Sequence, residues 1–186
     1  VVERSYSMYL PNLESLIHKV RLFGTHFASL DIRQDSRIHH QVLMDVHQTL
    51  HKKDGKGILP ATYSNLSLPA QLQALSELEG SLDPLDFEET ITKDTLQSIY
   101  AIKSVQQTNG LPACHRYIIS NTQSALHVME LFALFRLCGW DQYLAHLDIV
   151  PLFETIEDLD NAEGIMKMLY ADPFYRIHLA HRQFKQ

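Results

Sequence analysis

Two side chains stand where charge follows an apolar run, Arg33 and Glu154. The segments around them are Ser29-Leu30-Asp31-Ile32-Arg33-Gln34-Asp35-Ser36 and Ile149-Val150-Pro151-Leu152-Phe153-Glu154. An α/β protein places its working residues at the carboxyl ends of such strands. A guanidinium at a strand end holds a phosphate or carboxylate through two parallel hydrogen bonds, and the neighbouring Gln34 and Asp35 would fix its orientation. Asp31 lies two residues before Arg33, hence on the same strand face, and is expected to orient the guanidinium as an acceptor behind it. A carboxylate beside a guanidinium is a poor general base, because the positive charge lowers its pKa. Glu154 suits a hard cation such as magnesium, which takes one or two carboxylates together with substrate oxygens and water. Each residue has a plainer reading: Arg33 as one end of a structural ion pair, Glu154 as an acid at a helix start.

The remaining reactive side chains point less clearly to a site. The eleven histidines include His39, His40 and His47 in one stretch and His178 and His181 in another, without a partner spacing that suits zinc. They read as surface or packing residues. Ser120 lacks the flanking glycines of a nucleophile elbow and reads as a strand-end donor or a cap for the next helix. Glu157, Asp158 and Asp160 crowd a helix start and read as capping and solvated acids. The stretch 51–57 contains Gly55-Lys56-Gly57, but neither the upstream strand nor the hydroxyl residue of a phosphate-binding loop, so it reads as a solvated loop.

Composition narrows the class. At 186 residues with 45% hydrophobic content, the chain is long enough to bury a sizeable core. Cys114 and Cys138, the two cysteines, are too few for a disulfide framework. They read as small core residues in a reducing compartment. A formal net charge of -6 speaks against a dominant nucleic-acid surface. The apolar stretch 126–137 is broken by His127, Glu130 and Arg136, so no membrane span is legible and the chain reads as soluble.

Helical spacing of Leu13, Leu16, Ile17 and Val20 predicts a helix over 12–23 with Asn12 as its cap. Next come a strand over 26–32 and a helix from Ser36 to Leu50. The middle region, 51–110, reads as helical scaffolding or an insertion, with helices over 69–79 and from about 92 to 108. Repeated β-then-α units follow: a strand over 115–120, a helix over 124–138, a strand over 148–153, a helix after the polar start 155–160, and a last helix opened by Pro173. Uninterrupted apolar strands alternating with helices predict a parallel sheet covered by helices. Pro151 removes one ladder donor from the third strand. Three strands cannot close a barrel, so the chain reads either as a piece of a larger catalytic domain or as a small three-stranded domain. The first and third strands are expected to lie side by side, so that Arg33 and Glu154 open onto one pocket.

Leu30-Asp31-Ile32-Arg33-Gln34-Asp35-Ser36, Tyr117-Ile118-Ile119-Ser120 and Val150-Pro151-Leu152-Phe153-Glu154-Thr155-Ile156-Glu157-Asp158-Leu159-Asp160-Asn161-Ala162 closely resemble, in order, successive segments of the phosphoenolpyruvate carboxylases. The likeness runs from about Leu16 to the carboxyl end and is least distinctive over 51–110. The resemblance implies an α/β fold, a partial (β/α)8 TIM barrel with parallel strands and additional helices, taken from a mostly cytoplasmic homotetramer. It implies an enzyme that joins phosphoenolpyruvate and bicarbonate into oxaloacetate and phosphate with Mg2+ or Mn2+. It makes Arg33 an active-site arginine that contacts the anionic substrate or carboxyphosphate, and Glu154 one of two acidic metal ligands. The family's second metal aspartate and a nearby lysine would follow Gln186, and its catalytic histidine, glycine-rich loop and effector-binding residues lie elsewhere. Residues 1–186 are therefore read as an internal fragment of one catalytic barrel domain, without turnover alone and without tight metal binding. Ile38 stands where the family commonly has a basic residue, with Arg37 adjacent, which leaves the role of His39 open. Two other readings remain: a noncatalytic α/β scaffold or regulatory module, and a different magnesium-dependent enzyme of phosphoenolpyruvate or pyruvate.

Overall fold

The structure, a computed structural model, describes residues 8–24, 26–140 and 146–183. Three parallel strands, β1 (Asp31–Asp35), β2 (Arg116–Ser120) and β3 (Asp148–Pro151), form one sheet in the order β1-β2-β3. The register pairs Arg33 with Ile118 and Ile118 with Val150. The helices in chain order are α1 (Leu10–Phe23), α2 (Ser36–Asp54), α3 (Leu68–Ser76), α4 (Thr90–Asn109), α5 (Ala125–Leu137), α6 (Ile156–Ala171) and α7 (Pro173–His181). The arrangement is an incomplete, barrel-like α/β sheet, with each strand feeding a helix and no closure of the barrel. Among the described residues no helix is long and apolar enough to cross a membrane.

Sheet alternation decides where the core lies. Tyr117, Ile119 and Ile149 are buried on the face covered by α2 and α5, whereas Arg33 and Arg116 stand exposed on the other. Val42, Leu43 and Val46 of α2 meet Val128, Phe132 and Phe135 of α5 in one apolar cluster, which Leu72 and Leu75 of α3 and Leu96, Ile99 and Ile102 of α4 extend. Ring edges of Phe135 meet Tyr117 at 5.6 Å between centroids, an arrangement that aligns the ring quadrupoles favourably. The middle region is thus part of the core layer. Cys114 and Cys138 are both buried.

Several expectations move. The first strand begins at Asp31 and not at His26, because Phe27 adopts φ +64 and the Ala28 N–H turns back to the His26 carbonyl. Helix α1 starts at Leu10 with Tyr9 at its cap and Pro11 in its first turn, so Asn12 lies inside the helix. Helix α2 continues through Asp54 and ends at Gly55, whose φ of +76 suits the residue without a Cβ, so only the later part of 51–57 is loop. Strands β1 and β3 are not neighbours: β2 lies between them. Pro151 is the last residue of β3, and the next N–H, that of Leu152, reaches the Ile119 carbonyl at 2.9 Å.

Candidate functional site

The carboxyl ends of the three strands meet in a small polar rim. Arg33 projects from β1, and Glu154 follows β3 in the turn before α6. Although β2 separates their strands, Arg33 Nη2 and Glu154 Oε1 are 2.5 Å apart. Their side chains remain 53% and 40% exposed, so the pair contributes less than about 1 kcal/mol to folding. It can therefore open at little cost.

Local chemistry fixes each partner. Asp35 caps α2, accepting the Arg37 N–H, and the Arg37 guanidinium grips both its oxygens at 2.9 and 2.7 Å. Those bonds hold the Asp35 carboxyl down at about 2, against the opposing effect of burial. Asp35 is thus committed to α2. Gln34 Oε1 accepts the Asp35 N–H at 2.9 Å. Asp31 meets Arg116 Nη1 at 3.3 Å, so its partner is the neighbouring strand's arginine, and the acceptor of Arg33 is Glu154.

Glu154 is held from two sides. Its Oε2 accepts the N–H of Asn121, in the turn after β2, at 3.3 Å, and its own N–H points to Asp158 Oδ2 at 3.4 Å. Asp158 forms a reciprocal capping box with Thr155; the backbone N–H of Thr155, followed by its hydroxyl, lowers the Asp158 pKa. Asn121 adopts φ +56, a conformation asparagine tolerates better than most residues, and its carbonyl accepts the Ser36 hydroxyl at 2.7 Å. Gln123 Nε2 reaches Asp158 Oδ1 at 3.3 Å. The capping spacing made Asp158 readable as a cap. No sequence signal singled out Ser36, Asn121 or Gln123 as supports of Glu154.

Two of the histidines, His39 and His40, lie in the first turns of α2. His39 is buried on α2 with its Nε2 3.1 Å from the Tyr117 hydroxyl, and burial pushes its pKa down to about 4. His40 Nδ1 lies 2.7 Å from the buried Glu130 carboxylate, which raises the His40 pKa. Ser120 is buried at the strand end, and the cap of α5 is Ser124.

Among the described residues no three His, Cys, Asp or Glu side chains converge as a metal cage. Glu154 fits a hard dication as a single carboxylate ligand. It is half-exposed, its neutralising partner is a guanidinium that can swing away, and the nearby acids Asp35 and Asp158 are occupied by Arg37 and backbone N–H groups. Magnesium accepts such a site because it keeps waters and shares substrate oxygens.

Parallel strands that each feed a helix, with polar side chains gathered toward the carboxyl side of the sheet, are what (β/α) barrels share with other parallel α/β folds. The family model described as phosphoenolpyruvate carboxylase matches residues 3–186. The phosphoenolpyruvate carboxylase of Gloeobacter violaceus is 37% identical over 179 residues, covering 92% of this chain and 18% of that protein. That of a Synechocystis species is 35% identical over 176 residues, 90% of this chain and 16% of the relative, and that of a Synechococcus species 33% over 171 residues, 88% and 16%. The chain belongs to the phosphoenolpyruvate carboxylase family, and it spans 16–18% of the length of these relatives.

Proposed function

We propose that this segment contributes part of the active site of an enzyme that carboxylates phosphoenolpyruvate with bicarbonate, with Arg33 binding substrate anion and Glu154 ligating Mg2+ or Mn2+. The observation that carries this reading is the Arg33–Glu154 pair, 2.5 Å apart and open to solvent, with Arg33 in the middle of β1 and not at its end as its charge after an apolar run suggested, and Glu154 just beyond β3. The paired charges neutralise each other at rest. When a dication meets Glu154 and a substrate oxygen meets Arg33, the direct pair is exchanged for two contacts between opposite charges.

In the reaction a bicarbonate oxygen attacks phosphorus and the bond from phosphorus to the enol oxygen breaks, giving carboxyphosphate and the enolate of pyruvate. Carboxyphosphate then separates into carbon dioxide and phosphate, which retains the bicarbonate proton, and the enolate carbon bonds to carbon dioxide to give oxaloacetate. Arg33 donates to oxygens that gain negative charge in these steps, an electrostatic contribution made without reorganisation. Before substrate arrives, Glu154, held by the Asn121 N–H, keeps the guanidinium at the rim. The metal, when bound, supplies additional positive charge to the same oxygens. On this reading the parent enzyme is a cytoplasmic homotetramer that needs neither nucleic acid nor membrane as a partner.

The test is oxaloacetate formation, followed through reduction to malate, by the complete polypeptide carrying this segment. Activity should require phosphoenolpyruvate, bicarbonate and a divalent cation, and should collapse in Glu154→Gln. A different product, or full activity in that variant, overturns the assignment. The 186-residue chain alone should show no turnover, since its described residues supply one metal carboxylate and one substrate arginine of an assembled constellation.

A further inference from the structure

Ser36 is wholly buried at the first position of α2, yet the helix does not need its hydroxyl: Asp35 already caps the helix through the Arg37 N–H. The hydroxyl instead crosses to the turn after β2 and donates to the Asn121 carbonyl at 2.7 Å. The N–H of that same residue is the donor that meets Glu154 Oε2. Asn121 sits at φ +56, a conformation that survives where surrounding contacts over-determine it. One turn therefore ties the start of α2 to the carboxylate after β3.

We infer that Ser36 is a positioning residue for Glu154: by holding the Asn121 carbonyl it sets the turn whose N–H aims the glutamate carboxylate at the rim. This deepens the proposed function and rests on it for the identity of the metal site. The physical expectation is that of an outer hydrogen bond behind a metal ligand. Such partners orient the ligand, and their loss weakens metal binding by about 10-fold or more. A side chain that only fills the core would change stability and leave the metal affinity alone.

The experiment uses the complete polypeptide and three readouts: Mn2+ affinity by electron paramagnetic resonance, kcat and KM for the metal, and a crystal structure of the variant. Ser36→Ala should weaken Mn2+ binding by roughly 10-fold, raise the metal KM more than it lowers kcat, and turn Glu154 Oε2 away from the Asn121 N–H. Ser36→Thr, which keeps the hydroxyl, should recover most of the affinity. Should the alanine variant fail to fold, Ser36→Cys is read in its place, since a thiol of similar shape is a weak donor. Wild-type Mn2+ affinity together with an unmoved Glu154 in these variants overturns the inference. Glu154→Gln separates the two claims. If it leaves Mn2+ affinity intact, the metal-ligand reading fails, and the crystal structure alone then decides whether Ser36 positions Glu154.

Discussion

The two ends of the sheet present the same kinds of side chain and use them differently. At the amino end, Asp31, Arg116 and Asp148 lie in register across β1, β2 and β3, and Arg182 closes on Asp148 at 2.6 Å. Acid and base alternate there, and the last pair is nearly buried, 21% and 10% exposed. At the carboxyl end the supports are a serine hydroxyl, a turn N–H and a capping box, and they leave one guanidinium and one carboxylate facing each other in the open. The amino end spends its charges on one another; at the other end Asp35 is likewise taken by Arg37, but the Arg33–Glu154 pair beside it is braced through a turn N–H and stays open. The second arrangement is what a site needs if a ligand is to take over the ionic partners, and it follows the division between stability and chemistry seen across barrel proteins.

The comparison can be broken by experiment. The largest expected effect is on Arg33→Ala in the complete enzyme: a fall in kcat/KM of about 100-fold, as for loss of one preorganised donor, with little change in melting temperature. A loss of stability without loss of rate would reverse the roles assigned to the two ends. Next, Asp148→Ala should cost about 2 kcal/mol by removing a largely desolvated ionic partner of Arg182, a drop of roughly 4–8 °C in melting temperature. An unchanged thermal transition would remove the structural half of the contrast.

A third prediction concerns pH. His40, facing Glu130 with His127 and Tyr63 nearby, has its pKa raised by that carboxylate. Its stabilisation is complete below the unfolded value of about 6.5 and fades as pH rises through the higher folded value. Because His40 is half-exposed, the expected fall in melting temperature on this alkaline limb is small, about 1–2 °C, and Glu130→Gln should flatten it. A slope abolished by Asp148→Ala or Glu154→Gln instead would move the titration to a sheet end. The smallest effect belongs to Asp31→Asn: its pair with Arg116 is solvent-exposed, and denaturant unfolding should change by less than about 0.5 kcal/mol.

Much of the scaffold was legible. Apolar periodicity placed α5, β2 and β3 within a residue or two, since each combines a long apolar pattern with clear termini. Strand β1 was less legible, because Asp-Ile-Arg-Gln-Asp carries little hydrophobic signal and the apolar residues before it belong to a turn at Phe27. Arg33 and Glu154 could be singled out by charge at the end of apolar runs. Their contact across an intervening strand, 121 residues apart in sequence, depends on strand order, which local pattern does not contain. The same holds for Ser36: a serine after a capping aspartate looks like helix chemistry, and only the fold shows its hydroxyl leaving the helix.

Cys138 ends α5 against the core, and burial lifts its thiol to about 12, while burial also raises that of Cys114. Thiolate is the form that alkylating reagents attack. In the native fold both sulfurs should therefore ignore iodoacetamide near neutral pH, and Cys138 should become reactive when the end of α5 leaves the core. Cys138 makes a built-in clock for that opening, so the rate of its alkylation would time it without an engineered label.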